Sequence, residues 1–158
     1  RAGTWRQQAE LAPRDRPANA SFGAQVAMQN ETIIVGAPTE TNTLGTNAGA
    51  AYVFVRRNGR WRRQAGLRPT TRATAHRFGS DITLDGDVAL IGTTTGGGPS
   101  MFVRTDDQWV QVSTLRPDDS APETGAVVAI DEGRALVGVT EDAPLSEATE
   151  RSVEVFEL

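Results

Sequence analysis

The sequence predicts an almost entirely β protein assembled from copies of one four-stranded antiparallel unit. Three observations lead there. Blocks of similar residues recur in the same order three times along the 158 residues. Short, β-branched apolar runs alternate with polar turn segments. No stretch sustains the apolar period of an amphipathic helix.

The block bearing tryptophan is the clearest. "TWRQQAELAP" from Thr4, "RWRRQAGLRP" from Arg60 and "QWVQVSTLRP" from Gln108 each place a Trp six residues before a Leu and eight before a Pro. Trp61, Arg63, Ala65 and Leu67 fall on one face at period two, with Arg62 and Gln64 on the other, which is the pattern of a half-exposed strand. A second block reads "FGAQVAMQNETIIVGAP", "FGSDITLDGDVALIGT" and "TGAVVAIDEGRALVGV", and each copy runs from Gly to Gly over thirteen residues. Within it "TIIVG", "VALIG" and "ALVG" are nearly continuous apolar runs, as expected of strands covered on both faces. The polar segments "QNE", "DGD" and "DEGR" close hairpins, and Asn58-Gly59 supplies a further tight turn. "GAAYVFV", "PSMFVR" and "SVEVFEL" follow as third strands, and the Trp block is the fourth.

A four-stranded antiparallel unit repeated along a chain is the blade of a β-propeller. At this point Phe22-Gly23 with Gly36-Ala37-Pro38, and Phe78-Gly79 with Gly92-Thr93, resemble the FG-GAP repeat of integrin α-subunit propellers and of many secreted bacterial proteins. The third copy diverges, at Thr124-Gly125 and Val137-Gly138-Val139. The glycines are read as places where a strand bends or a neighbouring blade's backbone comes close. The expectation is a single all-β domain of three blades, at about residues 12–67, 68–115 and 116–158, with strand 3–11 completing a last blade.

The copies are out of phase with the chain, which opens on a fourth strand and finishes on a third. Propellers use about four to eight blades, so three do not readily close. The reading is a head-to-tail homodimer forming a six-bladed ring by strand exchange, with Trp5, Gln7, Ala9 and Leu11 of one copy meeting Val153, Val155 and Phe156 of the other. A fragment of a longer propeller and a three-unit monomer are the alternatives. The charge distribution suits the ring. Every basic side chain is Arg, and residues 1–80 hold twelve Arg against four acids while residues 81–158 hold four against sixteen. A basic region meeting an acidic one is one use of such asymmetry, and two separately solvated surfaces are the other.

Composition excludes several classes. The absence of cysteine removes disulfides, thiolate metal sites and a cysteine nucleophile. No apolar run approaches a membrane span, and no leader sequence is visible. A net charge of −4 weighs against nucleic acid, although "RRNGRWRR" at residues 56–63 mixes five Arg with Trp61; on a hairpin these alternate between faces. The resemblance implies calcium held by an Asp-rich loop between the first two strands. Here that loop is shortened, leaving Asp85 and Asp87 around Gly86 as its remnant, and two carboxylates fall short of the six to eight or so oxygens calcium takes. No cofactor is therefore expected, and calcium is not supported.

Remaining chemistry reads as structural. His76 is the sole histidine and sits in the polar loop "RATAHR". Asp106-Asp107 and Asp118-Asp119 read as solvated turn residues. "GTTTGGGPS", residues 92–100, lacks a Gly-Lys-Ser/Thr ending and reads as an inter-strand connection rather than a phosphate loop. Glycosylation sequons occur at Asn19-Ala20-Ser21 and Asn30-Glu31-Thr32. No catalytic motif is present, although an acid pair converging from different blades would leave none. The functional expectation is a non-catalytic, extracellular binding or adhesion module, not an enzyme, with an unidentified protein or glycan ligand. Its candidate ligand-face residues are Thr41, Asn42 and Asn47 in "TETNTLGTNAG" and Glu141 and Asp142 in "EDAPLSEATE". A carbohydrate-binding lectin and a fragment of a propeller hydrolase or lyase are the alternatives. Extracellular localisation is implied by the resemblance alone.

Overall fold

Among the described residues, eleven strands form three antiparallel sheets, each built from strands consecutive in the chain. A computed structural model describes residues 3–13, 20–70, 76–94, 98–115, 125–140 and 152–157. The first sheet contains β1 (Val26–Gln29), β2 (Thr32–Ala37), β3 (Ala50–Arg57) and β4 (Arg60–Leu67). The second contains β5 (Ile82–Asp85), β6 (Val88–Ile91), β7 (Ser100–Thr105) and β8 (Gln108–Thr114). The third contains β9 (Gly125–Asp131), β10 (Arg134–Thr140) and β11 (Ser152–Glu157).

Turn chemistry sets the hairpins. Asn58 and Gly59 both take positive φ, at 52° and 74°, as the two-residue turn between β3 and β4 requires. Asp106 and Asp107 do the same between β7 and β8, and Glu132 with Gly133 between β9 and β10. The third-to-fourth strand ladders of the two complete sheets share one irregularity. Register shifts between Val53 and Phe54 in the first sheet and between Met101 and Phe102 in the second, so one bulge recurs at equivalent positions.

The thirteen-residue spacing of glycines is a cross-strand pair. The Gly23 amide donates to the Gly36 carbonyl at 2.9 Å, and the Gly36 amide donates to the Gln25 carbonyl at 2.8 Å. In the second unit the Gly79 amide donates to the Gly92 carbonyl at 3.0 Å and the Gly92 amide to the Asp81 carbonyl at 2.8 Å. The spacing is therefore the length of a short hairpin closed just outside its ladder.

The three sheets stack face to face as propeller-like blades, with β1, β5 and β9 side by side as the first strand of each. Ile34, Val53 and Leu67 of the first blade pack with Phe78, Ile82, Ile91 and Phe102 of the second. Leu90, Met101 and Leu115 of the second pack with Val128, Ala135 and Val137 of the third. Phe78 meets Phe102 edge-on, with ring centroids 6.0 Å apart. Each buried branched side chain in these layers contributes about 1.5–3 kcal/mol, so the blades hold one another in place.

Among the described residues, 3–13 form no strand and the third sheet contains three, β9 to β11. An extended segment becomes a strand only where a neighbour supplies ladder hydrogen bonds, and among the described residues the segment starting at Gly3 has no such neighbour. Its sequence matches that of the fourth strands β4 and β8.

Candidate functional site

The connection between β2 and β3 is held by its own hydrogen bonds. Asn42 and Gly45 exchange backbone hydrogen bonds at 3.2 and 3.1 Å. The Asn42 side chain is fully used: its amide nitrogen donates to the Gly49 carbonyl at 2.9 Å, and its oxygen accepts from the Leu44 amide at 2.9 Å. The Asn47 amide donates to Thr41 Oγ1 at 3.3 Å, and Asn47 takes the left-handed conformation that asparagine tolerates, with φ of 51°. The loop then reaches the next blade, where the Arg77 amide donates to the Asn47 carbonyl and the Phe78 amide to the Ala48 carbonyl. Thr41, Thr43 and Thr46 stay exposed on its outer surface. Of the residues expected on the ligand face, Thr41 is exposed while its hydroxyl accepts from the Asn47 amide, and Asn42 and Asn47 also build the loop. Glu141 and Asp142 lie outside the described residues.

Beneath this loop sits a buried carboxylate. Glu40 accepts a short hydrogen bond from the Tyr52 hydroxyl and pairs with Arg68 at 2.7 Å. Burial, reinforced by the hydrogen bond to Glu40, pushes the Tyr52 phenol up to about 12. The Arg63 guanidinium lies over the Tyr52 ring, 4.7 Å from its centroid. Phe22 approaches the same ring at 5.8 Å. Sequence reading missed this group, because Glu40 looks like any polar loop residue until Arg68 is brought beside it.

A cleft of about 420 Å³ opens between the first two blades at the end bearing the Asn30 and Asp107 turns. Its charges are paired across the blades or along strands: Arg57 with Asp107 at 2.5 Å, Arg104 with Asp87 at 2.5 Å, and Arg56 with Glu31 at 3.5 Å. The Arg57 hydrogen bond holds the Asp107 carboxyl below its ordinary value. Arg104 also stacks on Trp109 at 5.2 Å and donates to Thr32 Oγ1. The Arg-rich hairpin thus divides its cations, with Arg57 spent on Asp107, Arg63 on Tyr52, and Arg60 and Arg62 exposed.

Asp85 and Asp87 serve other partners. Asp85 accepts from Gln29 at 3.3 Å and from the Glu132 amide at 3.1 Å, while Asp87 takes Arg104. Among the described residues no group of three or more His, Asp or Glu is placed to hold a metal ion. His76 is half-buried, and burial lowers its pKa from the ordinary value. The Trp109 indole donates to Gln64 at 2.9 Å, and Trp61 packs on the cluster containing Tyr52 and Phe54, so both are structural. Trp5 is 101% exposed.

Of the residues expected at an interface, Gln7, Ala9, Val153 and Val155 are exposed, Leu11 rests on the first blade's cluster, and Phe156 packs inward against the third. The structure adds Val26, Met28, Val127 and Leu136, which are exposed apolar side chains on the two outer faces of the stack. Alignment of the copies could have found them, since Val26 and Met28 occupy the places of Ile82 and Leu84.

A comparison with curated proteins returns no match. The FG-GAP repeat family matches residues 5–54, from the first Trp through the third strand of the first blade. With its paired glycines and its place in a stacked four-stranded sheet, the segment 5–54 is an FG-GAP repeat.

Proposed function

We propose that the chain is a non-catalytic, extracellular binding or adhesion module. It is half of a propeller whose ring a second copy completes, and its ligand meets the end bearing the β2–β3 loop. The observation that supports this is the self-locked loop. Ordering a flexible loop on binding costs affinity, and a loop already fixed by Asn42 and Asn47 avoids that cost. It offers the hydroxyls of Thr43 and Thr46, each able to donate and accept, to a protein or glycan, while Thr41 helps hold the loop. The corresponding connection of the third unit, by its place in the repeat, brings Glu141 and Asp142 to the same task. Extracellular location and the binding role are both argued by analogy with the FG-GAP repeat that matches residues 5–54.

The test uses labelled protein on arrays of immobilised glycans and of immobilised extracellular-matrix proteins. Binding to a restricted set is expected, and a T43A/T46A variant, which leaves the Thr41 lock intact, should weaken it about five- to tenfold, at roughly 0.5–1.5 kcal/mol per hydrogen bond. Equal binding by the variant, or none by the parent, would remove the loop from the account. Turnover of chromogenic ester, glycoside or phosphate substrates would remove the non-catalytic part.

A further inference from the structure

The reading above asks for a second copy, and resting on it we infer that residues 4–11 of that copy add to the free edge of β11 in one defined register. The partner's Leu11 lies opposite Val153, the partner's Ala9 opposite Val155, the partner's Gln7 opposite Phe156 and the partner's Arg6 opposite Glu157. The partner's Gln8 is the bulged residue.

The register comes from two precedents within the chain. Val53 pairs with Ala65 and Phe54 with Arg63, skipping Gln64. Met101 pairs with Ser113 and Phe102 with Gln111, skipping Val112. Ala51 faces Gly36 as Val153 faces Gly138, which puts Val155 in the place of Val53. Trp5 takes the place of Trp61 in the repeat, and so Ala9 takes that of Ala65.

The first blade is already prepared for the exchange. Leu67 closes one blade and lies in the cluster of Phe78, Ile82, Ile91 and Phe102 in the next. Leu115 stands likewise with Val128, Ala135 and Val137. Leu11 packs on Val35, Tyr52 and Phe54, the equivalent surface of the first blade. The segment is therefore seated at Leu11, where a preceding blade would deliver its last strand, while its tryptophan end stands free.

The outer faces show the same vacancy twice. Ile82 is 7% exposed between blades, and its counterpart Val26 is 63% exposed. Val53 is fully buried between blades, and its counterpart Val155 is 63% exposed. A β-carbon on Gly79 would lie 2.6 Å from the Ala50 carbonyl oxygen, whereas one on Gly23, with nearly the same φ, would meet nothing within 4 Å. One surface is the front of a blade without its neighbour and the other is the back. Joining them twice about a two-fold axis closes the ring and leaves no strand edge open. The partner's Arg6 beside Glu157 follows the charge division of the chain. One local conflict accompanies this register, because the partner's Glu10 faces Glu154, and like charges directly opposite oppose pairing.

The chain has no cysteine, so disulfide trapping reads the register directly. The variant A9C/V155C should form a disulfide-linked dimer on mild oxidation, seen on non-reducing gels, and Q7C/V153C should not. Light scattering on the unmodified chain should give twice the monomer mass at micromolar concentration. E10Q should tighten the dimer about two- to five-fold, where a merely structural role would leave it unchanged or weaker. A dimeric mass without the A9C/V155C link overturns the strand exchange and leaves the two-copy ring standing. A monomeric mass without the link overturns both. An internal disulfide in A9C/V155C, seen as faster migration without a mass change, shows the chain closing on itself and also overturns the proposal.

Discussion

The backbone of Gly79 lies against the α-carbon of Gly36, so that a β-carbon on Gly36 would overlap the Gly79 carbonyl oxygen. Gly36 ends the second strand of one blade and Gly79 begins the next, so the two motif glycines meet between units as well as within them. G36A and G79A should each destabilise the fold by about 3 kcal/mol or more, since neither neighbour is a flexible side chain. G23A, in open space but at φ of 92°, should cost about 1–3 kcal/mol for backbone strain alone. Urea midpoints of the three variants test the ordering.

Removal of Arg68 leaves the buried Glu40 carboxylate with only Tyr52 as partner. R68A should cost about 2–4 kcal/mol, somewhat below a fully buried pair because Arg68 is itself partly exposed. The double variant R68M/E40Q should recover much of that loss. Chemical denaturation of the single and double variants measures both.

The raised Tyr52 phenol makes a signed pH prediction. Its proton is held more tightly in the folded chain than in the unfolded one, so the associated stability is complete below about pH 10 and is lost as pH rises through about 12. Y52F should abolish that decline and cost about 1 kcal/mol at neutral pH for the lost hydrogen bond. Thermal melts across this range, with phenolate absorbance as the second readout, separate the two effects.

His76 predicts the opposite slope at low pH. Burial depresses its pKa, so the unfolded chain binds the proton more readily, and stability present above about pH 6.5 declines as pH falls. H76N should flatten the profile between neutral pH and the onset of carboxylate protonation.

Asp81 links the second and third blades by accepting from the Val128 amide at 2.7 Å. D81A should cost about 1.5–3 kcal/mol, as expected of a hydrogen bond to a charged group. The loss should be local. Hydrogen exchange should quicken in β9–β11 while the amides of β2 and β3 keep their protection.

The strands, hairpins and repeat order were legible because they rest on neighbours in the chain. Asn58-Gly59 marks the turn into β4 and the Gly-to-Gly spacing marks a closed hairpin, whereas the period-two reading of β4 fails at the bulge: Trp61 and Arg63 join the face of Tyr52 and Phe54, and Ala65 and Leu67 the opposite face with Val53. The roles of Glu40 and Asp85 were not legible. Nothing local distinguishes a carboxylate that will meet Arg68 or the Glu132 amide from one that will meet water. Asn42 shows the same limit, since its place in a variable loop suggested ligand contact while its side chain in fact ties the loop to Gly49.

The sequence by itself determined that this protein is a series of β blades whose Trp-bearing block recurs near residue 5. Period, turn residues and repeat phase are properties of short segments and survive without coordinates. Only the tertiary structure decided which glycines are walled in, which apolar faces are covered and where the first strand lies. Those outcomes depend on backbone surfaces from residues far apart in sequence meeting at van der Waals distance, and no pattern along the chain encodes that distance.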